Sequence, residues 1–245
     1  MSATTTRPSR PFPYSDVMSD DDGAAPPAAG LYVPAAHRIA DEAQVRALVA
    51  AAGVAQLVTV GPEGQPDATL VPILWQGDRV LAHLAVANPH ARRLNEGRAL
   101  VVVTGPDAYV SPSWYPTKAQ HGRVVPTWNY SAVQLRGRLR VITDPERLLD
   151  LVTRLTLTHE AGRPRPWAVT DAPQDYVHAQ LRAIVGVEIE VDDVAAKAKL
   201  SQNRVTADQV GVVEGLTRDG DPRGLAVAEQ MRTAQASSAD PSGGS

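Results

Sequence analysis

Apolar residues recur along the middle of the chain with two spacings, and the first is typical of helices. Between residues 41 and 53, Val45, Leu48 and Val49 share one face of a helix that Asp41 can cap and Gly53 can end. The same periodicity predicts further helices over 146–159, 174–184 and 207–216.

The second spacing is that of strands, in which apolar residues either alternate with polar ones or run together. ALVVVTG at 99–105 is apolar almost throughout, which predicts a strand at the sheet centre, whereas VGVEIEV at 185–191 alternates. Strands are predicted over 55–60, 68–75, 79–86, 99–105, 131–143 and 185–191. Short turns join several of them, so the predicted fold class is α+β or mainly β, an antiparallel barrel with peripheral helices.

Both ends of the chain differ from this periodic part. Residues 1–29 are rich in Pro, Ala, Ser, Thr and Asp, a composition that predicts a disordered arm. Residues 218–245 end in SSADPSGGS and are predicted to be disordered or weakly helical. The ordered domain is therefore expected over residues 30–217.

The composition argues against several classes of function. The formal charge of −3 and the pI of about 6.1 give no general attraction to nucleic acid, so charge does not support a nucleic-acid partner. The absence of cysteine excludes cysteine nucleophiles, and no two histidines have metal-ligand spacing, so no metal is expected. The sequence has neither an apolar run of membrane-helix length nor a signal-peptide stretch, which predicts a cytoplasmic protein without a membrane partner.

Candidate chemistry is concentrated between residues 109 and 130, a segment called here the aromatic window. The chain has only four Trp, six Tyr and one Phe, yet five of these rings lie in the window, among hydroxyls, amides and the cations Lys118 and Arg123. Flat rings beside hydrogen-bond donors and cations suit a planar ligand with an anionic end. The alternative is that the rings pack across a subunit interface, where aromatic residues are also enriched.

Two further segments carry many polar donors. KAKLSQNR at 197–204 has six in eight positions, which suits a phosphate-binding turn or, equally, a hydrated surface turn. Arg136, Arg138 and Arg140 alternate along one predicted strand and therefore project from one face. A polar outer face of the barrel explains these arginines, and a phosphate contact is the alternative.

Several strings of the chain carry a resemblance to a known family. They are LYVP (31–34), HLAVANP (83–89), GPDAYVSPSWYPTK (105–118), HGRVVPTWNY (121–130), GRLRVI (137–142), HEAGRPRPWAVTDAP (159–173) and KLSQNR (199–204). On these strings the chain resembles the PaiB family of FMN-binding negative transcriptional regulators over about residues 31–216. The resemblance implies a PNP-oxidase-like split β-barrel that forms a homodimer, with FMN or another small planar ligand near the subunit interface.

The resemblance also implies which residues hold the flavin. The isoalloxazine ring is expected to stack near Trp114, Tyr115 or Trp128, and the phosphate to lie at Lys118, Arg123 or the three strand arginines. The implied cofactor-binding residues are Ser111, Ser113, Trp114, Tyr115, Lys118, Arg123, Thr127, Trp128, Asn129, Lys199, Gln202 and Asn203.

Three positions depart from the family pattern, each by losing an ionisable side chain. Leu70 stands where members often carry the histidine of a THLP-like string, and Val86 replaces the arginine of HxARANP. Gln134 stands where a histidine usually follows valine in the strand after WNY. These losses imply a ligand pocket that differs from the common one.

Three functions are compatible with these features. The leading hypothesis is an FMN-binding regulator. The alternative is a flavin-dependent oxidoreductase acting on a small molecule, for which His83, His121 and Tyr115 are the proton-transfer candidates. The third is a ligand-sensing dimer without turnover.

Overall fold

The computed structural model describes the backbone of residues 30–239 and the side chains as far as residue 236. The arm predicted at residues 1–29 and the last residues, 240–245, lie outside this described part. The chain divides into two units, Met1–Tyr32 and Val33–Ser245, and the architecture that follows is that of the second unit.

Six strands form an antiparallel barrel. They are β1 (Val54–Val60), β2 (Pro66–Gln76), β3 (Arg79–Ala85), β4 (Gly97–Val110), β5 (Thr127–Ile142) and β6 (Ile184–Lys199). Their order around the barrel is β1-β2-β3-β6-β5-β4, with every neighbouring pair antiparallel and β1 closing the ring against β4. The predicted antiparallel barrel is confirmed.

Strands β4, β5 and β6 are longer than the sequence pattern predicted. The pairing of β4 with β5 shifts register between Thr104 and Asp107, and that of β5 with β6 shifts at Arg136 and Gly137. Such an irregularity moves the alternation of buried and exposed side chains by one residue. The period-two pattern therefore breaks off inside β4 and β6 but not inside β5, and both ladders continue.

The helices lie around the barrel. They are α1 (Glu42–Ala52), α2 (Pro89–Arg93), α3 (Lys118–His121), α4 (Pro145–Glu160), α5 (Gln174–Leu181), α6 (Thr206–Asp219) and α7 (Pro222–Ala239). Helix α1 has the predicted ends, since Asp41 Oδ1 accepts the Ala43 amide at 3.0 Å and Gly53 has a left-handed φ of 65°. None of the helices in residues 30–239 is long and apolar enough to cross a membrane.

The main core fills the barrel with the inward-facing residues of all six strands. Val45 and Val49 of α1 pack into it, so this helix covers one part of the interior. The largest fully enclosed side chains of this core include Leu57, Val101, Val133, Leu135, Leu139 and Ile189.

A second core lies where β4 and β5 extend beyond the barrel, and it corrects the prediction for the C-terminal tail. Its buried members are Ala108, Val110, Tyr115, Leu200, Val212, Leu216, Val227, Ala228 and Met231. Residues 218–245 were expected to be disordered or weakly helical, but Pro222–Ala239 form α7, and three of its side chains are buried in this core. The weak apolar stripe of α7 is stabilised by long-range packing that the local sequence does not reveal.

A third cluster of buried apolar residues lies on the outside of the barrel wall. Helices α4 and α5 cover the outward-facing residues of β2 and β3, and Leu74, Leu81, Leu151, Leu155 and Leu181 are buried between them. Gly186 of β6 gives this cluster room, because a Cβ atom there would lie only 3.0 Å from Leu148 Cδ2. The barrel is thus covered by helices in part, while other parts of its outer surface stay open.

Candidate functional site

The aromatic window connects the ends of β4 and β5. Tyr109 lies at the end of β4, residues 112–114 form a 3-10 turn, α3 follows, and Trp128 lies at the start of β5. The Ser111 hydroxyl accepts the Ser113 amide at 3.2 Å and so caps the turn. The window was interpreted as one wall of a pocket, and the structure divides its rings between two environments.

Trp114 and Tyr115 belong to the second core. Two glycines of α6 leave room for Trp114 to lie against this helix. A Cβ atom at Gly211 would lie 2.0 Å from the Trp114 carbonyl oxygen, and a Cβ atom at Gly215 would lie 2.3 Å from the Trp114 ring. The Tyr115 side chain is almost completely buried, with the Arg204 guanidinium 4.8 Å from its ring centroid. Burial raises the pKa of the Tyr115 hydroxyl, while Arg204 opposes that shift. These two rings therefore hold α6 against the barrel.

Trp128 and Tyr109 are instead half exposed on the outer side of the sheet. Their ring centroids are 6.1 Å apart in an edge-to-face arrangement, and each residue is 48% exposed. Trp128 Nε1 donates to Asp107 Oδ1 at 3.0 Å, which fixes the indole. Of the three rings predicted to stack on a flavin, Trp128 is the most exposed, whereas Trp114 is partly buried and Tyr115 is buried.

The KLSQNR segment forms the turn from β6 to α6, and most of its polar groups bond within the protein. Asn129 and Ser201 exchange hydrogen bonds of 3.0 and 3.1 Å in a buried position. Gln202 Nε2 donates to the Ala198 carbonyl at 2.6 Å, and its oxygen accepts the Leu200 amide at 2.7 Å. Hydrogen bonds within the protein therefore stabilise the turn, and Asn203 is exposed.

Lys199 joins this turn to the window. Its ammonium donates to the Thr127 hydroxyl and, at 3.1 Å, to the Trp128 carbonyl. Burial lowers the pKa of Lys199, and the nearby cations Lys197 and Arg204 lower it further. An anion beside Lys199 would therefore meet a locally positive surface.

The cations of the window loop are exposed. Lys118 Nζ donates to the Ser113 hydroxyl at 3.3 Å, and the Arg123 amide donates to His121 Nδ1 at 3.0 Å. The loop between Tyr115 and Thr127 thus presents two positive charges to solvent, near the start of β5.

The outer face of β2, β1, β4 and β5 is open and carries apolar side chains beside polar and charged ones. Leu70, Val54, Val60, Tyr109 and Trp128 are each between 43% and 60% exposed. We refer to this surface as the outer face. Exposed apolar residues that cluster on one face are often found at interaction surfaces.

Two of the three departures from the family pattern lie in one row of this outer face. Leu70 pairs with Gln56, Gln56 with Val102, and Val102 with Gln134 across four adjacent strands. Gln134 also accepts a hydrogen bond from Arg136. Val86, the third departure, lies just beyond β3 and is 45% exposed. The row is therefore neutral at the two positions where the resemblance to the family implies ionisable side chains.

Two of the three strand arginines form ordinary ion pairs along the same side of β5. Arg136 meets Asp193 at 2.8 Å and Arg140 meets Glu190 at 3.6 Å. This arrangement agrees with the polar outer surface that the alternation indicated, and exposed pairs of this type contribute little to stability.

The proton-transfer candidates lie on separate elements. His83 pairs with Gly186 between β3 and β6, His121 is exposed at the end of α3, and Tyr115 is in the second core. His90 was missed by sequence reasoning, although it follows the helix-start signal Asn88-Pro89. Its two ring nitrogens lie 2.9 and 2.8 Å from the hydroxyls of Thr59 and Thr69, so it ties α2 to the barrel.

Burial of His83 predicts a stability that falls in mild acid. Burial lowers its folded-state pKa from the ordinary 6.5, so the unfolded chain binds the proton more readily. Stability is expected to be full above pH 6.5 and to decrease as the pH falls through that value. Melting temperatures between about pH 8 and about pH 5 should show a weaker pH dependence for His83→Leu than for the parent chain. If the melting temperatures of both proteins changed equally with pH, burial of His83 would not be the cause of the lower stability in acid.

Comparison with protein families identifies the domain. A family model described as "Putative FMN-binding domain" matches residues 31–193. The chain belongs to this family. Its cofactor is accordingly a flavin, and the side chains present fit one, because exposed rings at Trp128 and Tyr109 accompany the cations Lys118 and Lys199. In the described part of the chain, no group of three or more acidic or histidine side chains could hold a metal.

Two relatives match over most of the chain. The Bacillus subtilis (strain 168) protein called protease synthase and sporulation protein PAI 2 is 30% identical over 206 residues, which are 82% of this chain and 96% of the relative. An uncharacterised protein of Aspergillus fumigatus is 31% identical over 204 residues, which are 70% of this chain and 76% of that protein. The resemblance inferred from the motifs is thereby confirmed.

Solved structures show the same fold at low sequence identity. A structure of the FAD and heme binding protein from Mycobacterium smegmatis has a TM-score of 0.51 at 17% identity, covering 71% of this chain and 78% of that one. The conserved hypothetical protein Rv2991 from Mycobacterium tuberculosis has a TM-score of 0.51 at 16% identity, covering 71% and 92%. The predicted split-barrel fold is confirmed.

Proposed function

We propose that two copies of the chain pair through their outer faces, that FMN lies at the edge of this interface, and that the dimer acts as a regulator. The single observation that carries the proposal is the exposed apolar outer face, which ends at the half-exposed Trp128 and Tyr109. A stable dimer needs about 800 Å² of such surface from each partner. The outer face offers Leu70, Val54, Val60, Tyr109 and Trp128 as exposed apolar side chains for such a contact.

The flavin ring is assigned to the neighbourhood of Trp128. An exposed indole, held in place by Asp107, offers a rigid aromatic surface at low entropic cost. Bound FMN would supply electron- and hydride-transfer chemistry. Asn129, Gln202 and Asn203 shape the turn beside this surface.

The phosphate is assigned to the positive side of the same region. Lys118 and Arg123 are exposed on the window loop, and Lys199 lies in surroundings that already disfavour its positive charge. A phosphate group would form charge-assisted hydrogen bonds with these donors, and its negative charge would offset their positive charges. Ser113 accepts a hydrogen bond from Lys118 and Thr127 accepts one from Lys199, while Ser111 caps the turn that carries Ser113.

The regulatory role rests on the relative from Bacillus subtilis, whose name refers to protease synthesis and sporulation. The net charge of −3 and the paired arginines of β5 give no support to direct DNA binding. We therefore assign the regulatory effect to ligand binding by the dimer. Gel-shift measurements at physiological salt should show no binding of the dimer to DNA, and specific binding would contradict this assignment.

Trp128→Ala is expected to weaken FMN binding. Loss of an aromatic contact costs about 0.5–1.5 kcal/mol, which corresponds to roughly twofold to twelvefold in affinity. Quenching of flavin fluorescence during titration measures the change. Trp167→Ala is the matched control, because Trp167 is 47% exposed but lies in the segment between α4 and α5. Equal losses for both variants would exclude Trp128 as the stacking ring.

A further inference from the structure

Helix α6 presents one face to the aromatic window. Asp208, Gly211 and Gly215 follow one another at helical spacing, which places them on the same face of this helix. The two glycines lie against Trp114, and Asp208 contacts Thr117. The first half of the window loop is therefore attached to α6 along this face.

The carboxylate of Asp208 is buried, with the residue only 2% exposed. Its Oδ1 atom accepts a hydrogen bond from the Thr117 amide at 3.1 Å, and its Oδ2 atom accepts one from the Thr117 hydroxyl at 2.8 Å. Burying a carboxylate is costly unless hydrogen bonds compensate for the lost water. Both oxygens are thus bonded to one residue of the window, and together they anchor it at two points.

The Thr117 hydroxyl takes part in this anchor and not in an ordinary helix cap. Thr117 precedes α3, and a threonine in this position usually accepts an amide hydrogen of its own helix. Here the side chain makes no such cap, and its hydroxyl donates to Asp208 instead. Helix α3 has four residues, which are too few for stability without tertiary contacts. Asp208 therefore fixes the place where α3 begins.

Lys118 is the first residue of α3 and follows the anchored threonine directly. Its ammonium donates to the Ser113 hydroxyl at 3.3 Å, and Ser113 belongs to the turn that contains Trp114. The backbone of Lys118 is thus held through Thr117, and its side chain contacts a turn that also packs on α6. The position of this positive charge depends on α6 at both points.

We propose that Asp208 is a positioning residue that makes the flavin site prefer phosphorylated flavins to uncharged ones. By anchoring Thr117 it holds Lys118 where the phosphate of FMN is assigned. This role rests on the proposed function, because it presupposes that assignment, and it adds a determinant outside the matched residues 31–193. The negative charge of Asp208 would by itself disfavour a phosphate. Positioning and charge therefore predict opposite consequences when the Asp208 carboxylate is removed.

FMN and riboflavin separate the contribution of the phosphate from that of the ring, because they differ in the phosphate group alone. Quenching of flavin fluorescence measures both affinities, and their ratio is the preference for phosphate. The parent chain should bind FMN more tightly than riboflavin. Lys118→Ala should reduce this preference about tenfold, as expected for the loss of one charge-assisted hydrogen bond.

Two substitutions of Asp208 distinguish its contact from its charge. Asp208→Ala should reduce the preference about as much as Lys118→Ala does, with riboflavin affinity within about twofold of the parent. Asp208→Asn should keep the preference, because its amide oxygen can accept the Thr117 amide hydrogen and its amide nitrogen can donate to the Thr117 hydroxyl. Glu214→Gln is the charge control, since Glu214 is exposed on the same helix, and it should bind both flavins as the parent does.

Thr117→Val tests the same anchor from the other side, even where Asp208→Ala disturbs folding. It removes the hydroxyl and keeps the shape of the side chain, so the preference for FMN should fall. Combined with Asp208→Ala, its effect should not add, because both changes remove one contact. A Thr117→Val protein with the parent's preference would show that the anchor does not position Lys118.

Three further results would overturn the inference. If Asp208→Ala kept or increased the preference while Lys118→Ala lost it, the phosphate assignment would stand without Asp208. Equal losses in Asp208→Ala and Asp208→Asn would show that the charge of Asp208, and not its contact with Thr117, affects binding. A parent chain that binds FMN and riboflavin equally would contradict the phosphate assignment itself, and the role of Asp208 with it.

Discussion

Leu70→Glu is expected to convert the dimer to a monomer and to remove its bound FMN. Leu70 lies on β2 within the outer face and is 60% exposed, so the substitution places a carboxylate on the proposed interface without disturbing the core. Burying an unpaired charge costs several kcal/mol, and a loss of about 3 kcal/mol already raises the dimer dissociation constant more than a hundredfold. Light scattering after size exclusion measures the mass, and the visible spectrum measures the flavin.

Leu157→Glu is the matched control for this experiment. Leu157 is 59% exposed on α4, which covers a different part of the barrel, so the two changes are alike in chemistry and exposure. The control should remain a dimer with flavin. Dimeric Leu70→Glu protein that retains FMN would show that the outer face is not the interface.

Gly211→Ala is expected to produce the largest loss of stability. The new methyl group would lie 2.0 Å from the Trp114 carbonyl, a backbone atom that moves only with the whole turn. Overpacking of this kind costs typically 1–3 kcal/mol, and we expect about 3 kcal/mol because a backbone atom is involved. Urea unfolding of the two proteins measures the difference in free energy of unfolding.

Gly224→Ala is the control, because it also places a methyl group on a helix. Its nearest neighbour would be Leu216 Cδ2 at 3.4 Å, an ordinary contact. Alanine is favoured over glycine in helices by about 1 kcal/mol, so this variant should be as stable as the parent or slightly more stable. If Gly211→Ala behaved in the same way, the packing of Trp114 on α6 would be disproved.

Much of the barrel could be predicted because its strands carry local signals. Alternation and turn residues identified all six strands, and Asp41 and Gly53 identified both ends of α1. The extensions of β4 and β6 could not be predicted, since the register shifts interrupt the alternation. The packing of helix α7 was not predicted, because Val227, Ala228 and Met231 form a short apolar stripe whose partners lie far away in sequence.

The candidate site could likewise be predicted where the signal is local and could not be predicted where it depends on distant residues. The aromatic window was found from composition and motifs, but its division between two environments depends on Gly211 and Gly215, about a hundred residues later. Leu70 and Gln134 are likewise distant in sequence and share a row only because β1 and β4 lie between them. Sequence patterns specify local periodicity, whereas the neighbours of a side chain follow from the closed sheet.

The most direct test of the account is sedimentation of the full chain with FMN, followed at the visible absorption band of the flavin. Each chain has a mass of 26.1 kDa. The account predicts that the flavin absorbance sediments with a species of twice that mass, at one FMN per chain. Flavin that stays with the free ligand, or that sediments with a monomer, would contradict it.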